Sequence, residues 1–135
     1  MSTPTASALP RVTHLALWTR DIDTLCAFYA KHLDATVGPL YLSQTRPFSS
    51  RFLTFGGDVQ LEVMHLPNLQ SASAASRVGL AHVAFQLGSR AAVDARVLRL
   101  AEHGIDIEGA PRLTGDGYYE AVIRDPDGNL IELVG

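Results

Sequence analysis

Two histidines and two glutamates stand out in this chain of 135 residues because they recur as pairs. His14 precedes Glu62 by nearly the same interval as His82 precedes Glu132. Imidazole nitrogen and carboxylate oxygen form a donor set of intermediate softness, suited to Ni, Co, Zn, Fe or Mn and leaving room for water. Glu132 sits in an aliphatic stretch, Leu130-Ile131-Glu132-Leu133-Val134. Taking its carboxylate out of water there costs several kcal/mol unless something pairs with it. A cation would provide that pairing.

The segments that must position these residues are written twice. Val12-Thr13-His14-Leu15-Ala16-Leu17-Trp18 parallels Leu80-Ala81-His82-Val83-Ala84-Phe85-Gln86, with His third and Ala fifth in each. Both alternate as strands do. After the first, Arg20-Asp21 offers an N-cap, and Ile22, Leu25, Phe28, Tyr29 and Leu33 follow at helical spacing. After the second, Gly88-Ser89 precedes Val93, Val97, Leu100 and Ala101, with Gly104 as a C-terminal stop. Three strands are predicted after each helix: Thr36–Ser43, Ser50–Phe55 and Val59–His65, then Ile105–Leu113, Tyr118–Arg124 and Leu130–Val134. Gly57-Asp58 and Asp125–Asn129 supply turns. The result is a βαβββ pattern repeated in tandem, an α+β organisation. The predicted modules are 11–66 and 79–135, joined by a linker over 67–78 rich in Ser and Ala, with 1–10 as a flexible tail.

Alternate strand residues share a face. Leu15, Leu17, Val83 and Phe85 are therefore expected beneath the helices, with His14, Ala16, Trp18, His82, Ala84 and Gln86 on the other side. In the last strand of each module, Leu61 and Val63 oppose Glu62, and Ile131 and Leu133 oppose Glu132. The repeat delivers both histidines and both carboxylates to the face away from the helices, and pairing of the modules about a pseudo-twofold would bring the four together. His32, His65 and His103 have no counterparts in the repeat and read as surface or helix-end residues.

Composition narrows the partners. A net charge of −3 offers no basic stripe for nucleic acid or an anionic membrane. No apolar run approaches the length of a membrane span. The first ten residues lack the basic and apolar regions of a signal peptide, so a cytoplasmic location is expected. The single cysteine, Cys26, has no second thiol to bridge and reads as a packing residue.

On THLALWTRD with a helix reaching FYAKHL, on LEVMHLP, on GLAHVAFQL and above all on RDPDGNLIELV, the chain resembles the vicinal oxygen chelate superfamily. That superfamily includes glyoxalase I, extradiol dioxygenases, and fosfomycin- and bleomycin-resistance proteins; the match is closest to short bacterial glyoxalase-like members. The resemblance implies paired βαβββ modules whose curved mixed sheets form a cleft around a divalent metal. It also implies His14, Glu62, His82 and Glu132 as the metal ligands, and a homodimer.

Glu62 discriminates among members. Extradiol dioxygenases and fosfomycin enzymes are similar in using only a His, His, Glu triad, whereas a set of two His and two Glu resembles bacterial glyoxalase I. The activity implied is a lactoylglutathione lyase-type proton transfer through an enediolate on a small substrate with vicinal oxygens. Glu132 would be ligand and base, and Glu62 ligand and second base. The alternatives are an Fe(II) extradiol-type dioxygenase and a non-catalytic drug-binding resistance protein. Two positions depart from glyoxalase I: Trp18 replaces an Arg four residues after the first ligand, and Leu66 replaces an Asn four residues after Glu62. Trp18, Phe55, Met64, Tyr118 and Tyr119 are the expected apolar or aromatic pocket wall.

Overall fold

The structure, a computed structural model, describes residues 2–3, 9–71 and 76–135. Parts of the expected tail and linker lie outside the described residues. The chain divides into two compact units, 1–69 and 70–135.

In the first unit, strand β1 (His14–Trp18) leads into helix α1 (Ile22–Leu33). Asp21 is extended, and its side chain accepts the Thr24 backbone N–H, a bond of 3.1 Å. This satisfies one of the donors that a helix start leaves open. The same bond holds the Asp21 carboxyl below the usual carboxylate range. Leu25, Cys26, Phe28, Tyr29 and Leu33 form the buried stripe, and Asp34 ends the helix in the left-handed region. Burial pushes the Cys26 thiol up, as suits a packing residue. Strands β2 (Thr36–Val37), β3 (Tyr41–Leu42), β4 (Ser49–Thr54) and β5 (Gln60–His65) follow. The sheet order is β1-β5-β4-β2, with β3 also on β4, and β1 runs parallel to β5.

The expected single strand Thr36–Ser43 is thus two short pieces. Pro39 has no N–H for a ladder. Gly38 donates to the carbonyl of Phe52 (2.8 Å), so close that a Cβ at Gly38 would meet that oxygen at 3.0 Å.

The second unit repeats the plan with β6 (His82–Gln86), α2 (Arg90–Glu102), β7 (Ile107–Leu113), β8 (Tyr119–Arg124) and β9 (Leu130–Val134), in sheet order β6-β9-β8-β7. Ser89 caps α2 by accepting the Ala92 N–H at 3.1 Å, and Gly104 (φ 78°) follows its end, as expected. In the turn between β8 and β9, the Asp125 carboxylate accepts the Asp127 and Asn129 backbone N–H groups and the Asn129 side-chain amide. Val93, Leu100, Ala121, Ile123, Ile131 and Leu133 are sealed from solvent in this unit's core, each Val, Leu or Ile contributing roughly 1.5–3 kcal/mol. Leu15, Leu17, Val83 and Phe85 are only half-buried, because β1 and β6 are edge strands. His32, expected at a surface or helix end, lies in the last turn of α1 but is buried against Phe28. Among the described residues, no helix is long and apolar enough to cross a membrane.

Candidate metal centre

The parallel pairing of first and last strand is the same in both units. Ala16 stands opposite Glu62 and Ala84 opposite Glu132, with the histidine two residues earlier on the same strand and therefore on the same face. The recurring alanine has a physical role here: with only a methyl group opposite the glutamate, the imidazole reaches diagonally across to the carboxylate.

In the first unit, His14 Nε2 lies 4.0 Å from Glu62 Oε1. Thr13 Oγ1 is hydrogen-bonded to His14 Nδ1 at 2.9 Å, and Phe52 meets the imidazole edge-on at 5.5 Å. Nδ1 is thus engaged and Nε2 is the nitrogen that faces the carboxylate; with Nδ1 as the donor, Nε2 keeps a lone pair for a metal. Trp18 and Met64 are register partners on this same face, and Trp18 is half exposed. In the second unit, His82 Nε2 contacts Glu132 Oε1 directly. The Glu132 side chain is 15% exposed and that of His82 44%, so the pair is held yet open to a ligand.

The structure therefore brings His14 to Glu62 and His82 to Glu132. Among the described residues, no group of three or more His, Cys, Asp or Glu forms a metal-holding cluster. Each pair supplies one nitrogen and one oxygen donor on an accessible face, which fits a divalent ion of intermediate softness.

Of the expected pocket residues, Trp18 and Met64 share the face of Glu62. Phe55 packs against Tyr29 of α1, and the Tyr119 hydroxyl donates to Asp94 of α2, so both lie on the helix side. Tyr118 is exposed before β8. An open cavity of about 290 Å³ in the first unit lies at the start of α1, lined by Arg20, Ile22, Ser49 and His65 among others, and involves neither His14 nor Glu62. His65 Nδ1 there is held 2.8 Å from the carbonyl of Thr19.

Glu120 joins the site without having been foreseen. It stands opposite Val134, while Glu132 stands opposite Val122, so the two carboxylates are diagonal neighbours on one face. Burial first, then the hydrogen bond and repulsion from Glu132, push the Glu120 carboxyl above the usual range. Two carboxylates beside one imidazole leave negative charge that a cation would relieve. The hairpin could have revealed this: a turn over 125–129 pairs Arg124 with Leu130 and fixes every later partner.

Residues 11–133 match the Glyoxalase/Bleomycin resistance protein/Dioxygenase superfamily, and the chain belongs to it. This superfamily includes enzymes such as glyoxalase I; its members generally bind a divalent metal, typically bind small molecules and often form dimers. Among solved structures, the chain is similar to a glyoxylase/bleomycin resistance protein/dioxygenase domain from Frankia sp. EAN1pec (TM-score 0.80, 23% identity, 93% of this chain and 97% of that one). It is also similar to SMU.1112c (0.78, 28%, 94% and 99%) and to the trypanothione-dependent glyoxalase I of Leishmania major (0.76, 22%, 94% and 87%). No curated protein matches.

Proposed function

We propose that the chain is a metal-dependent lyase or isomerase of the glyoxalase I type, acting on a small substrate with vicinal oxygens. The observation that supports this most directly is the His–Glu pair built twice, at one register and on one face, in both units. By the superfamily resemblance, His14, Glu62, His82 and Glu132 would be the ligands of the ion. When bound, the ion supplies electrostatic stabilisation of negative charge developing on the two substrate oxygens. Glu132 takes a proton from one substrate carbon and returns it to the neighbouring carbon, which calls for a positioned carboxylate of suitable basicity. Glu62 is the ligand and second base of the other unit. Trp18 and Met64 give the Glu62 face an apolar wall for the substrate.

The sharpest form of the proposal is lactoylglutathione lyase activity. It is tested by metal analysis of the purified protein together with a methylglyoxal–glutathione assay under added Ni, Co, Zn and Mn. Turnover with at least one metal, lost in Glu132→Gln, is expected. Absence of turnover with every metal would contradict this substrate, and oxygen-dependent turnover with Fe(II) would contradict the reaction class.

A further inference from the structure

The second unit carries a cation on the same face as Glu132 that the proton transfer does not use. Between Ile107, opposite Ile123, and Arg112, opposite Glu120, β7 contains two more residues than β8, taken up in two irregularities on either side of Gly109. Regular pairing from Ile107 would put Ala110 opposite Glu120; the extra residues bring Arg112 there instead. Such bulges re-aim side chains, and Pro111, which has no N–H, falls where the ladder is already interrupted.

The Arg112 guanidinium does not close on Glu120. It folds back over Gly109, where an added Cβ would meet Arg112 Nη1 at 3.0 Å and Val122 Cβ at 3.2 Å. Glu120 attracts it electrostatically, but no hydrogen bond or close ion pair ties Arg112 to the described residues. Arg124 on the same face is committed, to Glu108 and the Gly128 carbonyl. Gly109, Val122 and Glu132 are successive register partners across β7, β8 and β9. The guanidinium therefore lies in the row of Glu132, two strands away, or roughly 10 Å. Apolar Val122 is the floor between them.

We propose that Arg112 is a specificity-determining residue that binds an oxyanion, a carboxylate or phosphate group, carried by the substrate about two strand spacings from the end that meets His82 and Glu132. A planar guanidinium binds such groups in bidentate fashion. Gly109 is its seat, and Val122 faces a short apolar spacer. The substrate class is a small acid with vicinal oxygens at one end and an anionic group at the other. The choice of substrate end rests on the function proposed above; anion binding at Arg112 does not.

Two measurements separate these. Glutarate is titrated into the 15N-labelled, metal-free full chain while arginine Nε–H signals and backbone amides are followed. A saturable shift is expected at Arg112 and at the amides of Gly109 and Val122, lost in Arg112→Gln and weakened in Gly109→Ala. A linear shift of equal size at all arginines would overturn the proposal whether or not the protein binds a metal. In metal-loaded protein, suberic acid monohydroxamate is compared with octanohydroxamic acid, the same chelating head without the carboxylate. The wild type should prefer the carboxylate-bearing probe at least about tenfold, as one charge-assisted bond implies. Arg112→Gln should erase that preference while keeping its metal content. A preference that survives in Arg112→Gln would contradict the assignment.

Discussion

In the proposed reaction Glu132 is the residue on which the chemistry turns: mostly but not fully buried, it touches His82 on one side and Glu120 on the other. Glu132→Gln keeps the shape and removes the base. It should lower kcat by at least about a hundredfold with the thermal unfolding midpoint little changed, as assay and circular dichroism would show. Loss of folding instead would mean that the carboxylate is structural. Cys26 makes a second test: buried and with its thiol pushed up, it should resist thiol reagents in the native protein and react only on unfolding. The two His–Glu pairs were legible in sequence because the repeat makes each residue vouch for its counterpart. Glu120 and Arg112 were not, since Ser50 stands where Glu120's counterpart would be. The position of Arg112 also depends on two irregularities that periodicity does not reveal.

At the scale of elements, the first strand of each unit leads directly into a capped helix. Ser89→Ala removes the N-cap of α2 and should cost about 1 kcal/mol, read as a lowered denaturation midpoint. Asp21 caps α1 and carries a depressed carboxyl, held there chiefly by the Thr24 N–H. A depressed folded-state value means that the unfolded chain binds the proton more readily. The contribution is thus present above the ordinary aspartate value, near 3.9, and is lost as pH falls through the lower folded value. Stability measured from about pH 5 downward should fall less steeply in Asp21→Ala than in the wild type; an identical slope would contradict the cap's ionic part. The cap of α1 was readable from Asp21 ahead of periodic apolar residues; that of α2 at Ser89 emerged from the structure. The break at Gly38-Pro39 was not anticipated, because the flanking residues alone suggested one strand.

For the whole molecule, tandem duplication places the same donor pair on the same face of two similar sheets, and the proposed function requires both pairs to serve one ion. Any ligand that binds only the folded state stabilises it, so chelation should lower the unfolding temperature of metal-loaded protein and leave the metal-free protein unaffected. The most direct test is calorimetric titration of the metal-free protein with Ni or Zn, comparing wild type with His14→Ala and His82→Ala. One ion per chain is predicted, with tight binding lost in either variant, because each removes a donor from a single shared centre. Tight binding that survives both substitutions, or two sites each lost independently, would contradict the account.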